Sequence, residues 1–413
     1  MNKENTDEKK IVGLKPKLQT LKFRIMIFLL LFIFSISFIL INSYIKDLNY
    51  NQKLQNYITH ISDNKLYYVG KLSLIRDSYN AIEINKNLIL VFGKGEGNIS
   101  KKGEIFDLRK KKTYKIIDFK TDHFDDYVFK FDDSIFIIGQ EIELLNAKTL
   151  KSQLIDLPDD NHKFNGGFAT KISKNEILFI CGNFSLPINF VDENIRIYTY
   201  NTQNRQIKKI ENIHIPKGLF NGFIGIKKPL VTVSNKTYLF ACDYNKLTSN
   251  NGKKIIHSIE PTNCGIYIFN KENSSFDLVS TLEENSFPFY VEQLNDEELL
   301  VLSQRYIFSF NTNTKLVNKF LNKIEYPHIF ARFISKAPNS TIIGLGTIYQ
   351  KSPFGKNSYL VDGQSKEIYD FKLVDFNKTT LFNSYGKGST IYTTNNNLVF
   401  IGLFDKNYVY SSK

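Results

Sequence analysis

From residue 66 to residue 413 one arrangement of residues comes round seven times, and it restricts the fold more than any other feature. Each round has a strand-like stretch, a tight polar turn, an apolar stretch often ending in Gly, and a loop. An alternating stretch, a second turn and a last strand complete it. The first round reads YNAIEINKNLILVFG and then GEIFDLRKKKTYKIIDF. The second reads YVFKFDDSIFIIG and then EIELLNAKTLKSQLIDL, and the third GFATKISKNEILFICG and then IRIYTYNTQNRQIKKI. Four more begin at LVTVSNKTYLFAC, YVEQLNDEELLVLSQ, RFISKAPNSTIIGLG and STIYTTNNNLVFIGL. The second strands stop near Gly93, Gly139, Gly182, Cys242, Ser303, Gly346 and Gly402, about 43 to 60 residues apart, the period of four-stranded propeller blades. A twisted four-stranded sheet cannot bury both faces alone, whereas blades in a ring bury each face on a neighbour.

The seventh round, ending in KNYVYSSK, lacks its last strand. Residues 66–73, LYYVGKLS, form a strand with no round of their own. Pairing 66–73 with 407–410 closes the ring and removes two free sheet edges. The expected fold is therefore all-β, a seven-bladed propeller over 66–413 closed by its own N-terminal strand. A six-bladed ring or an open array is the alternative.

Units such as LILVFG…GEIFDLRKKKTYKI and ILFICG…NIRIYTYNTQNRQIKKI resemble kelch repeats of the galactose-oxidase-type propeller superfamily, and the resemblance covers nearly all of residues 66–413. It implies a kelch-type propeller. One Gly of the family's usual pair is present and Trp is absent. Arg76, seventeen residues before Gly93, matches the family's early Arg in one blade.

Ahead of the repeats, residues 25–41 read IMIFLLLFIFSISFILI, extendable through Asn42 and Ser43 to Ile45 and long enough to cross a bilayer core. Residues 1–24 form a basic leader, and Lys15, Lys17, Lys22 and Arg24 precede the apolar run. Basic residues there favour a cytoplasmic N-terminus. A leader of that length with no small-residue cleavage site reads as an uncleaved signal anchor rather than a removed signal peptide. The expected organisation is a leader (1–24), a single transmembrane helix (25–45), a polar stalk (46–65) and a periplasmic or extracellular propeller.

Lys and Arg number 54 against 41 Asp and Glu, for a net charge of +13. Outside the leader these charges are dispersed and lack a helical or aromatic–Arg reader motif, which argues against nucleic acid. The six His residues show no copper-ligand spacing, and the seven Arg are scattered. No P-loop, nucleophile elbow or zinc-protease motif occurs, so no catalytic residue, metal or cofactor is expected. The acid pairs Asp125–Asp126, Asp159–Asp160 and Glu283–Glu284 read as solvated loop carboxylates, and the run 109–112 as a solvated basic turn.

In an up-and-down blade, the loops joining strands two and three share one face with the blade-to-blade connections. That face takes every long connection: 94–102, 158–166, 183–193, 211–228, 243–263, 347–357 and 375–388. The other face has short turns only. Variable loops on a rigid scaffold are where recognition concentrates. The two largest excursions carry His214, Lys217, Phe220, Phe223, Tyr244, Lys246, Lys253, Lys254 and His257, a mixture suited to a protein or glycan partner bearing negative charge. Phe124, Phe164, Phe220, Phe287, Phe330 and Phe382 recur near blade starts and read as packing residues. Cys242 and Cys264 flank the longest insertion as antiparallel neighbours and are candidates for a disulfide, with two buried thiols the alternative. Cys181 is expected to be free. The functional expectation is a membrane-anchored binding or scaffolding module, with a glycan-directed or oxidase-like enzyme as the alternative.

Overall fold

A computed structural model of the protein describes residues 66–124, 126–158, 166–182, 195–211, 229–250, 255–282, 288–303, 307–319, 331–337, 341–346, 358–362, 367–371, 389–392, 394, 398–402 and 407–412 of the repeat region. Near the N-terminus it describes 26, 28–29, 31–42 and 44–45. The chain divides into two units, Met1–Thr59 and His60–Lys413. In the first, the described residues are helical and carry exposed apolar side chains such as Phe28 and Phe34. Among the described residues no helix is long and apolar enough to cross a membrane. The expected span over 25–45 includes Ile25, Ile27, Leu30 and Ser43, which lie outside them.

In the second unit the described strands form seven four-stranded antiparallel sheets. Strand β1 (Leu66–Lys71) comes first. Sheet one is β2 (Asn80–Asn85), β3 (Leu88–Phe92), β4 (Lys102–Asp107) and β5 (Lys112–Asp118). Sheet two is β6 (Tyr127–Phe131), β7 (Ser134–Ile138), β8 (Ile142–Asn146) and β9 (Ser152–Leu154). Sheet three is β10 (Gly166–Ser173), β11 (Glu176–Gly182), β12 (Arg196–Asn201) and β13 (Ile207–Ile210). Sheet four is β14 (Leu230–Val233), β15 (Lys236–Asn250), β16 (Ile255–Asn270) and β17 (Ser275–Thr281). Sheet five is β18 (Pro288–Gln293), β19 (Glu298–Ser303), β20 (Ile307–Asn311) and β21 (Val317–Lys319). Sheet six is β22 (Ala331–Ala337), β23 (Thr341–Gly346), β24 (Ser358–Asp362) and β25 (Glu367–Phe371). Sheet seven joins β26 (Ser389–Tyr392), β27 (Leu398–Ile401) and β28 (Tyr408–Ser412) to β1.

Burial along the strands explains the order. The second strands β3, β7, β11 and β19 are buried at every position after the first, as strands covered on both faces must be. The fourth strands β5, β9 and β21 are mostly exposed or half-exposed, as outer edges are. Among the described residues five apolar clusters each join two sheets. Phe92 and Ile105 meet Ile135 and Ile137 between sheets one and two, and Phe136 meets Phe179 and Tyr200 between two and three. Ile180 and Leu239 connect three to four, and Phe240 and Phe310 connect four to five. Ile89, Val91 and Phe106 of sheet one pack with Val399, Ile401 and Val409 of sheet seven. The first strands also touch in series: β2 with β6, β6 with β10, β10 with β14, β14 with β18, then β22 with β26 and β26 with β2.

Strand β1 pairs with β28 from Leu66 opposite Ser412 to Lys71 opposite Tyr408. Beyond the ladder, Leu72 N–H donates to the Asn407 carbonyl at 2.8 Å, and Asn407 Nδ2 returns a bond to the Leu72 carbonyl at 3.2 Å.

The turns between third and fourth strands repeat one device. Asp107, Asn146, Asn201, Asn270 and Asn311 each accept, at Oδ1, the N–H groups two and three residues on. Four residues on, Lys111, Leu150, Arg205, Ser274 and Lys315 take positive φ between 50° and 60°. The residue after the Asx bonds back to the first turn of its own sheet: Leu108 to Asn87, Ala147 to Asp133, Thr202 to Asn175 and Thr312 to Glu297. One end of every such sheet is thereby tied short.

Candidate functional site

The opposite end carries the long connections, and two connections at that end are held by buried charge. In the 94–102 connection, Gly97 takes φ +59° and opens a 3-10 turn over Gly97–Lys101. Arg76, fully buried, reaches across it. Its Nη1 donates to the carbonyls of Gly93 (3.0 Å) and Ile99 (2.9 Å), and its Nη2 to that of Lys102 (2.7 Å). Burial draws the guanidinium pKa down to about 10, opposed by the charge of Glu104. Glu104, also fully buried, accepts the N–H groups of Ser73 (2.6 Å) and Leu74 (3.1 Å) and the hydroxyl of Thr113.

The connection from sheet one to sheet two is held by His123. Its Nδ1 lies 2.6 Å from Asp126 Oδ2 and its Nε2 3.0 Å from Glu143 Oε2, with His123 and Glu143 both fully buried. Phe119 and Phe92 stand edge-on to the ring at 4.7 and 5.9 Å. Burial alone lowers the imidazole pKa, but hydrogen bonds and charge from Asp126 and Glu143 outweigh it and raise the pKa to about 9. The ring is then an imidazolium donating to both carboxylates. Burial raises the Glu143 pKa, while His123, Ser152 and the Lys120 N–H hold it below the usual carboxylate range. Glu143 also accepts the backbone N–H of Lys120 (2.9 Å) and Thr121 (3.3 Å). Enclosed side chains of this kind position backbone; a substrate cannot reach them.

Glu104 and Glu143 hold equivalent places. They stand opposite Val91 and Ile137, each two residues before the Gly that ends a second strand. Each collects two N–H groups of the segment that leads into its own sheet. In sheets three and four the equivalent positions, opposite Ile180 and Phe240, are Ile197 and Ile266. The sequence signal is a single Glu inside an otherwise apolar third strand, GEIFD and IELLN. Asp126, read from sequence as a solvated loop acid, is buried because it pairs with His123.

The largest expected loop is not a loop. Strands β15 and β16 keep pairing beyond the sheet, from Asp243 opposite Thr262 to Asn250 opposite Ile255. The register sets Tyr244 opposite Pro261, Lys246 opposite Ile259 and Thr248 opposite His257. A bulge between Ala241 and Asp243 marks where sheet gives way to hairpin arm. There Cys242 and Cys264 form a disulfide, both buried in the cluster between sheets four and five. Cys181 is free and buried. Backbone pairing thus brings Tyr244, Lys246 and His257 onto one arm. Lys253, Lys254, His214, Lys217, Phe220 and Phe223 lie outside the described residues.

Phe124, read from sequence as a packing residue, is 37% exposed beside the His123 clasp, and its carbonyl accepts from Asn80 Nδ2 at 3.1 Å. On the inner strands, Tyr290 donates to Glu292 at 2.9 Å and Tyr127 to the Ala169 carbonyl at 3.2 Å. Burial raises both phenol pKa values, and the Glu292 carboxylate adds to this at Tyr127 as well as Tyr290. Among the described residues no cluster of His, Cys, Asp or Glu could hold a metal ion.

These features define an all-β assembly of four-stranded antiparallel sheets, and comparison with known proteins agrees with that class. No protein-family model matches the chain, and no curated protein matches it. Among solved structures it is similar to the extracellular domain of the putative one component system BT4673 from B. thetaiotaomicron. The TM-score is 0.52 at 10% identity over 84% of this chain and 40% of that one. A second structure, described as the extracellular domain of the putative hybrid two component system BT4673, gives 0.52 at 9% identity with the same coverage. The likeness is one of fold, and this chain spans 40% of the length of those domains.

Proposed function

We propose that residues 66–413 form a seven-bladed, kelch-like β-propeller, closed by the β1–β28 pair and displayed outside a membrane by a signal anchor at 25–45. It binds a protein or glycan partner through its long-connection end. Ring closure draws support from the serial contacts of the first strands and the shared core of sheets seven and one. An extracellular setting is in keeping with the similar domains of BT4673 and with the disulfide.

The observation that carries the binding reading is the difference between the two ends of the sheets. One end is tied short by five repeated Asx turns. The other bears a disulfide-based hairpin arm and connections held by buried charge. Such a surface is pre-organised, so binding forfeits little conformational entropy. The arm carries Tyr244, Lys246 and His257, and Phe124 adds an exposed ring. Shortening 244–262 to a tight turn, sparing Cys242 and Cys264, should abolish recovery of a partner cross-linked on intact membranes. Recovery that survives this change, but is lost when the 109–112 turn is altered, would assign binding to the other end.

A further inference from the structure

We infer that the short-turn end of the sheets is a basic base that rests on an anionic phospholipid surface, turning the arm-bearing end outward. This rests on the anchored-propeller reading above. Chain direction supplies the first observation. Strand β1 begins at Leu66 opposite Ser412, and β28 runs toward Ser412 away from the end where second strands pass to third. The polypeptide therefore enters the ring from the short-turn end. Residues 46–65 are all that separate Leu66 from the apolar run, and an extended chain of that length reaches at most about 70 Å.

Charge supplies the second. The five outer turns, 107–112, 146–151, 201–206, 270–275 and 311–316, carry nine cations against two carboxylates, and one of those two, Asp107, is buried capping its own turn. Residues 109–112, RKKK, are all exposed. Lys148 and Lys271 are paired to Asp133 and Glu176, but 109–112, Lys151, Arg205 and Lys315 form no ion pair among the described residues. The turns between first and second strands of the same five sheets, 85–88, 131–134, 173–176, 233–236 and 293–298, carry six carboxylates against three cations, so the attraction acts through the outer turns. Apolar side chains stand beside these cations: Tyr114 is 56% exposed and Leu316 60%. Cations around exposed aromatic and aliphatic groups suit the headgroup region of an anionic bilayer, where tyrosine concentrates and each basic residue adds to binding.

The test uses the full chain in lipid vesicles, labelled with a fluorophore at Lys110→Cys or, at the opposite end, Asn98→Cys. Quenching by headgroup-labelled lipid is compared between phosphatidylcholine vesicles and vesicles containing about one-third phosphatidylglycerol. The expected result is stronger quenching at 110 in the anionic vesicles, absent at 98. Raised salt should weaken it, and Arg109→Gln with Lys112→Gln should weaken surface association about fivefold per charge removed. Equal quenching at 110 in both vesicles, or stronger quenching at 98, overturns the inference. A chain that floats with neither vesicle overturns the anchor and this inference together. The arm experiment reads partner binding separately and stands whatever the vesicles show.

Discussion

His123 Nε2 lies 3.0 Å from Glu143 Oε2, with both side chains closed to solvent. An ion pair in that setting is costly to break by halves, because the survivor is a buried unpaired charge. Glu143→Ala should destabilise the domain by about 3–5 kcal/mol. His123→Ala with Glu143→Leu should recover part of that loss. The check is denaturant unfolding of the single and double variants; additive losses would mean the two residues act apart.

The same pair sets a pH window. The folded His123 pKa of about 9 exceeds its ordinary 6.5, so its contribution is whole below 6.5 and fades as pH rises through 9. The folded Glu143 pKa is lowered, so its contribution is whole above the ordinary 4.5 and fades as pH falls through the folded value. Stability from the pair should peak between these ordinary values. It should decline toward pH 9 by on the order of 3 kcal/mol at most. His123→Gln should flatten the alkaline limb in urea unfolding; an unchanged slope in that variant would assign the decline to other groups.

Removing the Cys242–Cys264 disulfide, which spans 22 residues, should cost about 3 kcal/mol. Amide exchange in 243–250 should quicken as the arm's base loosens. Labelling under denaturing, non-reducing conditions should find one thiol, Cys181. That thiol should be inert in the native protein, where full burial raises its pKa. Three labelled thiols would show that the bridge is not formed.

The seam between β1 and β28 should be weak to truncation. Deleting 407–412 exposes the β1 edge and removes Val409 from the cluster with Ile89 and Phe106. The unfolding transition should fall and broaden. Asn407→Ala removes one side-chain bond to Leu72 and should cost about 1 kcal/mol. A truncated chain with an unchanged melting curve would mean the seam adds nothing.

Much of the sheet order was readable because each second strand is a solid apolar run that stops at a small residue or Cys. The want of a last strand after Tyr408 pointed to Leu66 in the same way. The Asx turns were not read. Asp107, Asn146, Asn201, Asn270 and Asn311 precede their positive-φ residues by a constant four positions, but unlike residues between them hide the regularity. The arm was not readable. Its strands hold Asn, Ser, Thr and Lys, which lack strand alternation, and pairing there extends a ladder already started in the sheet. Nor was the His123 clasp, since Glu143 stands twenty residues away and meets the ring only once sheet two has folded. Phe124 was read as packing because it recurs near sheet starts, yet its side chain is 37% exposed.

Because β1 is made first and its partner β28 last, the seam also has a history in time. A chain grows from its N-terminus, and domains fold as synthesis proceeds. Sheets one to six can each assemble as their four strands emerge, whereas sheet seven must wait for Tyr408–Ser412. Until then Ile89, Val91 and Phe106 lack the cover that Val399, Ile401 and Val409 later provide. A chain cut short before Tyr408 therefore leaves β1 a bare strand beside a greasy flank on which quality-control factors can act.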